Sequence, residues 1–279
     1  MREISYKLTA DGYTSTDMSL LAEHLFTSGV QCYVVQRGRA TRLWVLMSDG
    51  TLAVLTTNAE QQVTAWQRMN MQGRTVCRLA AFPGLHNTDD EVWLVVQNPH
   101  SGVVSIERIV EQQLFLDGAV TGRADSPLVT APHLAGLRGY VYPVADPAGA
   151  REMEVAPDGS FTIPDFVAGE CYRYGASYSS ELRTMPLEDA RTYNTVRQEG
   201  RVRLRVMESD PAFLCKATHA QEWEHCDPTR DSRTYPYSGE IRVSQLPAPG
   251  VGQGFALRID GNLDFRLLSL TVEMDFHGR

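Results

Sequence analysis

A chain of 279 residues with 43% hydrophobic and 22% charged residues has the make-up of globular domains, which excludes a wholly disordered polypeptide. At about 150 residues per domain its length suggests two domains. No window approaches about 18 consecutive apolar residues, so no transmembrane helix is expected. The net charge of −8, without any Lys/Arg run longer than two, excludes the basic surface that a phosphate-neutralising nucleic-acid binder needs. Lys7 and Lys216 are the only lysines; the other cations are arginines, whose guanidinium tolerates partly buried ion pairs, a hint of an assembled protein.

The polar opening MREISYKLTADGY reads as a strand and lacks the apolar core of a secretory signal. The next segment, Ser15 to Gly29, predicts the one helix of the chain. Ser15 or Thr16 can cap it, Asp17 suits the positive end of the helix dipole, and Met18, Leu21 and Leu25 share one face. Strand signals follow at 32–38, 42–48, 51–57 and 62–69, with Asp49-Gly50 as a two-residue hairpin turn. A second group lies at 75–82, 91–97 and 103–110. Each group has about the length of a β-propeller blade. Two blades cannot close a propeller, so either these modules form an open meander or other chains complete a ring.

Residues 116–136, with Gly118, Gly122, Pro127 and Pro132, read as a linker between a first domain (1–115) and a β-sandwich (137–279). In the second domain Asp158-Gly159 predicts a hairpin tip, with Met153, Val155, Phe161 and Ile163 alternating on its arms. Arg201–Met207 is the cleanest alternating strand. Val202, Leu204 and Val206 point one way, and Arg201, Arg203 and Arg205 the other. Three like charges side by side want carboxylate partners, so these arginines are candidates for an interface, or else a solvated sheet face. The expected fold is therefore mainly β: antiparallel propeller-blade-like sheet modules followed by a β-sandwich, with one short N-terminal helix.

The five cysteines contain no CxxC, which suits reduced thiols made in a cytoplasm. Cys215, His219, His225 and Cys226 are the only His/Cys cluster. Their spacing matches no common zinc site, and adjacent His225 and Cys226 on an extended segment point to opposite sides, so a polar loop is the better reading. Asp89-Asp90-Glu91, beside His86-Asn87, reads as a solvated turn. Glu222 and Glu224 offer a second carboxylate pair, but a glycosidase would need two carboxylates facing each other at ~5–10 Å. Nucleophile-elbow, zincin, P-loop and dinucleotide motifs are missing, and Gly252-Gln253-Gly254 reads as a turn. Hence the chain is expected not to be an enzyme, and no catalytic, cofactor-binding or metal residue and no cofactor is assigned. Trp44, Trp66 and Trp93 recur at similar places in successive strands. Core packing is the expectation; exposure would favour a glycan-binding face.

Five segments occur in order: DMSLLAEHLF (17–26), RLWVLMSDGTLAVLT (42–56), QQVTAWQRM (61–69), DDEVWLVVQ (89–97) followed by SIERI, and YGASYSSELRTMPLE (174–188). Together with the ending YSGEIRVSQLPAPG…FALRIDGNLDFRLLSLTVEMDF, they resemble the later portion of the tail nozzle proteins of short-tailed bacteriophages, also called tail tubular protein B. The resemblance spans about Asp17 to Phe276. Asp264-Phe265-Arg266-Leu267 stands where that family has a Pro-Leu-type dipeptide, and the large N-terminal part of longer members has no counterpart before the 17–26 segment. The resemblance implies a structural virion protein of the phage tail, made in the bacterial host cytoplasm. It also implies a self-assembled ring of six copies that meets neighbouring tail proteins such as the adaptor, fibre or spike. Such a ring would pass genomic DNA without specific binding and without membrane insertion. An acidic conduit wall would let DNA slide, because it neutralises no phosphates. The alternative is a glycan- or receptor-binding β module of a tail tip.

Overall fold

The computed structural model describes residues 1–8, 11–58, 61–85, 89–110, 116–185, 197–218, 220–226, 235–244, 254–261 and 264–276. Among the described residues the fold is mainly β, with 59% in strands and no helix of 7 or more residues. Two compact units interleave along the chain. One is Met1–Gln113 with Leu128–Leu137 and Glu154–Thr162; the other is Leu114–Pro127, Arg138–Met153 and Ile163–Arg279.

In the first unit, β1 (Arg2–Lys7) and β2 (Gly12–Asp17) form a separate hairpin. Strands β3 (Val30–Gln36), β4 (Thr41–Met47), β5 (Leu52–Asn58) and β6 (Val63–Met69) form an antiparallel meander in that order. So do β7 (Thr75–Phe82), β8 (Glu91–Gln97) and β9 (Val104–Arg108). These are the two strand groups read from the sequence. Their facing sides share one core: Trp44, Leu46, Leu52 and Val54 from the first sheet, Val76, Val92, Leu94 and Val96 from the second. Arg74, with a side chain wholly out of solvent, ion-pairs with Glu107 of β9. A buried guanidinium without a carboxylate would cost several kcal/mol (~3–5), so this pair fixes how the second sheet begins and ends.

The other face of β4–β5 carries Val45, Met47 and Ala53, and Leu25, Phe26 and Trp66 cover it, Phe26 standing edge-on to Trp66 at 5.1 Å. The covering segment is not the expected helix over Ser15–Gly29. Residues 12–17 are strand β2, and only Glu23–Phe26 makes a 3₁₀ turn. Two interactions outcompete the helix. Asp17 Oδ1 accepts the Ser19 N–H and hydroxyl, and the Trp66 indole N–H takes the Met18 carbonyl at 2.6 Å. The presumed apolar stripe is also not buried as one face, since Leu21 is 94% exposed.

The turn at Asp49-Gly50 is a hairpin loop of three residues rather than two. The Gly50 N–H donates to the Met47 carbonyl, the Met47 N–H to the Thr51 carbonyl, and Gly50 has φ +81°. A type I turn closed by a left-handed residue is the usual three-residue solution. A Cβ on Gly50 would also stand 2.4 Å from the Thr75 methyl. Asp49 Oδ1 accepts the Thr51 N–H and hydroxyl, and Asp158 does the same for Ser160 in the matching loop at Gly159.

Strands β10 (Asp117–Arg123), β11 (Leu128–Thr130), β12 (Arg138–Pro143), β13 (Arg151–Glu154), β14 (Ser160–Thr162) and β15 (Cys171–Ala176) follow. The expected linker at 116–136 therefore contains two strands. β10 looked like loop because its pairing with β15 is interrupted between Asp117 and Val120, around Gly118 at φ +58°. The expected hairpin at Asp158-Gly159 has its tip and its alternation, with Met153, Val155, Phe161 and Ile163 all buried. Its arms nevertheless join different sheets, β13 the order β10-β15-β12-β13 and β14 a pair with β11.

The remaining strands are β16 (Tyr178–Arg183), β17 (Arg197–Ser209), β18 (Phe213–Ala217), β19 (Glu224–Cys226), β20 (Tyr237–Ser244), β21 (Phe255–Gly261) and β22 (Leu267–Phe276). They build a sandwich of β20-β17-β22 on β16-β21-β18-β19. Val202, Leu204, Val206, Ile241 and Val243 of one sheet meet Phe213, Cys215, Phe255 and Leu257 of the other. The sandwich thus spans 178–276 rather than 137–279, because 138–176 belongs to the β10–β15 sheet.

Leu204 is fully buried and Leu268 is exposed. Leu204→Ala is expected to lower unfolding free energy by about 3 kcal/mol and Leu268→Ala by under ~0.5 kcal/mol, read from urea midpoints by circular dichroism. Hydrogen bonds from the following Ser or Thr hold Asp17, Asp49 and Asp158 below the usual carboxylate range. Their contribution is therefore fully present above the unfolded-state carboxylate value and is lost as pH falls through the lower folded values. Asp49→Asn keeps an acceptor but no titration, so its urea midpoint is expected to fall less steeply than wild type below the usual Asp range.

Candidate functional site

The outward side of β17 is a ladder of charge. Arg203 lies opposite Arg242 on β20 and Thr271 on β22; Arg205 lies opposite Glu240 and Ser269. Arg203, Arg205, Glu240, Ser269 and Thr271 line a shallow depression of about 280 Å³. Glu240 accepts from Arg242 Nε at 2.8 Å and stands 4.0 Å from Arg203. The Arg242 hydrogen bond, helped by the charges of Arg203 and Arg205, holds Glu240 below its ordinary value. The carboxylate that these arginines require is thus supplied within the sheet. The surface offers guanidinium and hydroxyl donors around one acceptor, which suits binding or solvation.

Each of the three recurring tryptophans is on a strand and has its indole N–H committed. Trp44 is buried and donates to Gln36 Oε1 at 2.9 Å. Trp66, half-buried, donates to Met18. Trp93, also half-buried, donates to Glu91 at 3.1 Å beneath the Arg108 guanidinium, 5.8 Å from its ring centre, while Arg108 pairs with Glu91 at 2.7 Å. Of the three, Trp44 is packed in the core as expected, whereas Trp66 and Trp93 keep part of their surface in solvent. Sequence reasoning passed over Trp223, whose ring lies 4.7 Å from Lys216 Nζ and 5.9 Å from the Arg258 guanidinium. One of only two lysines within seven residues of a tryptophan was the available signal.

Asp89, exposed as expected, and half-buried Asp90 also form a clasp. Asp90 accepts the Arg37 N–H at 2.9 Å and Asp89 the Arg39 N–H at 3.2 Å, while the Asp90 N–H returns to the Arg37 carbonyl. They pin the β3–β4 loop to the start of β8. A Cβ on Gly38 would come within 2.4 Å of Asp89 Cγ, which explains the glycine. His86 and Asn87 lie outside the described residues. Glu222 is exposed, and Glu224 sits opposite Cys215 in the β18–β19 ladder.

That ladder also sorts the Cys/His cluster. Phe213 pairs with Cys226 and Cys215 with Glu224, on the side turned to the sandwich core, while His225 pairs with Leu214 on the other side. The two cysteines and His225 therefore do not converge; His219 lies outside the described residues, as do Gly252 and Gln253. No group of three or more metal-ligating side chains occurs among the described residues. None of the five cysteines, all described, is in a disulfide. Burial, with Cys226 and Glu224 nearby, pushes the Cys215 thiol up to about 12.

No protein-family model and no curated protein matches the chain. Among solved structures, it is similar to the insecticidal delta-endotoxin Cry8Ea1 from Bacillus thuringiensis at 9% identity, covering 99% of this chain and 59% of that one, with a TM-score of 0.20. The Bacillus thuringiensis insecticidal crystal protein Cry7Ca1 is 8% identical over 88% of this chain and 51% of its own, again at a TM-score of 0.20. The chain spans between half and three-fifths of the length of these two, and likenesses at this TM-score bear on neither fold nor function.

Exposed Cys171 is expected to react with a chromogenic disulfide reagent in the native chain, whereas Cys215 reacts only after unfolding in urea, as counted by stoichiometry and peptide mapping.

Proposed function

We propose that the chain is a structural virion protein of a bacteriophage tail, a nozzle or tail-tube component. In this reading it forms a ring of identical copies that helps build the conduit for DNA ejection. The observation that carries it is the ordered series of segments resembling phage tail nozzle proteins. Four of those segments pack on one another in the first unit. The 42–56 hairpin is the centre, 89–97 faces it across the core, and 17–26 and 61–69 meet on its other side through Met18, Phe26 and Trp66. A shared series of mutually packed pieces supports a shared fold more strongly than scattered matches would.

A net charge of −8 suits a wall that DNA slides past, since phosphates find few cations to displace their counterions. The neighbouring proteins would be other components of the tail, and the place of action the virion. The experiment is electron microscopy of the purified chain and of the particle. Six-fold rings around the DNA passage are expected; a monomer seated at the tail tip would move the reading to an attachment module. In parallel, DNA binding by the isolated chain is expected to be weak and nearly independent of salt. Tight binding that collapses as salt rises would contradict a conduit.

A further inference from the structure

The depression on the outward side of β20-β17-β22 gathers hydrogen-bond donors around a carboxylate that is already engaged. Glu240 accepts from Arg242 Nε and stands 4.0 Å from half-buried Arg203. Arg205, Ser269 and Thr271 line the same space and are exposed. The Arg205 guanidinium and the Ser269 and Thr271 hydroxyls make no side-chain hydrogen bond or ion pair with any of the described residues. The strand register puts these three donors on one face. Ser269 is directly opposite Arg205, and Thr271 is directly opposite Arg203. Opposed side chains on neighbouring strands start about 5 Å apart and diagonal ones about 7–8 Å, so one small group can reach all three.

The charge of the site is positive. Arg203, Arg205 and Arg242 against Glu240 leave a formal +2. The next row of the ladder places Arg201 opposite Glu273, which is formally neutral. Past Arg205 along β17, Glu208 is held by Arg266, which also takes Asp264. A volume of about 280 Å³ lies near the lower end of small-ligand sites, which run from ~300 to ~1,000 Å³.

We propose that this depression binds the phosphoryl group of a phosphorylated sugar. A phosphate monoester has three terminal oxygens and a charge of about −1.5 to −2 at neutral pH, matching three donor side chains and the net charge around them. Arg205 donates through its fork to two of the oxygens, and the Ser269 and Thr271 hydroxyls serve the third, with Arg203 adding charge beneath. A carboxylate or a phosphodiester presents only two terminal oxygens and one charge, and leaves a donor unmet. Glu240 is the one acceptor in the depression, which suits a hydroxyl on the rest of the ligand. Nothing in this site depends on the tail reading.

The test is calorimetric titration of the full chain at constant ionic strength. The probes are glucose 6-phosphate, inorganic phosphate, dimethyl phosphate and acetate. Glucose 6-phosphate is expected to bind, inorganic phosphate several-fold more weakly, and dimethyl phosphate and acetate at least about tenfold more weakly, the worth of one charge-assisted hydrogen bond. Arg205→Gln is expected to weaken glucose 6-phosphate by about tenfold or more, and Thr271→Val by about threefold or more. Arg78→Gln, at an exposed arginine of the first unit, is expected to leave binding unchanged. Urea midpoints check that all three variants fold. Binding by neither phosphate compound would overturn the site. So would acetate or dimethyl phosphate binding as tightly as glucose 6-phosphate, or Arg78→Gln costing as much as Arg205→Gln. Inorganic phosphate binding as tightly as its sugar ester would overturn the part given to Glu240 and support the phosphoryl contacts.

Discussion

A sheet whose central strands are apolar on both faces must be covered twice. The first unit follows from that requirement. β4 and β5 hold Trp44, Leu46, Leu52 and Val54 on one side and Val45, Met47 and Ala53 on the other. The second meander answers the first side and the segment through Leu25 and Phe26 answers the second. Burying each such side chain contributes roughly 1.5–3 kcal/mol, far more than the few tenths per residue by which helix propensity could favour another path for that segment. The same alternation recurs at β8, whose Val92, Leu94 and Val96 are buried in the shared core while Trp93 and Val95 on its other side are half-buried.

Several polar groups in the first unit position its strands and turns. Asp17 and Asp49 hold turns by accepting a neighbour's amide and hydroxyl together, Asp89 and Asp90 clasp the β3–β4 loop, and Glu107 answers buried Arg74. In the sandwich, Ser209 joins the long strand β17 to the start of β22 by taking the Arg266 amide at 2.7 Å. Glu240 plays the corresponding part on the surface, lying among Arg203, Arg205 and Arg242. Carboxylates engaged in this way are anchored to backbone or guanidinium groups, so their side chains are settled before any ligand arrives.

Much of the architecture was legible from residue order. Period-two alternation placed Val202, Leu204 and Val206 in the sandwich core, and the runs 42–48, 51–57, 62–69, 75–82 and 91–97 are strands where their β-branched and aromatic residues said so. Asp-Gly pairs marked two hairpin tips, although the loops hold three residues, because only the glycine takes the left-handed conformation. The helix over Ser15–Gly29 was misread because its apolar spacing is compatible with a helix, whereas the partners that decide against one, Trp66 and Met1, are distant in sequence or lie outside the segment.

By itself the sequence determined the class of fold, the strand-rich periodicity, the acidic balance and the series of segments that resemble phage nozzle proteins, since each is written in local order and composition. Tertiary structure decided the rest: that 116–136 contains strands, that the arms on either side of Asp158-Gly159 part into different sheets, and that the aspartates at 89 and 90 grip a loop some fifty residues earlier. It also decided which apolar residues stay outside. Strand alternation shows that two sets of side chains face opposite ways, but only the pairing of strands from distant parts of the chain determines which set is buried.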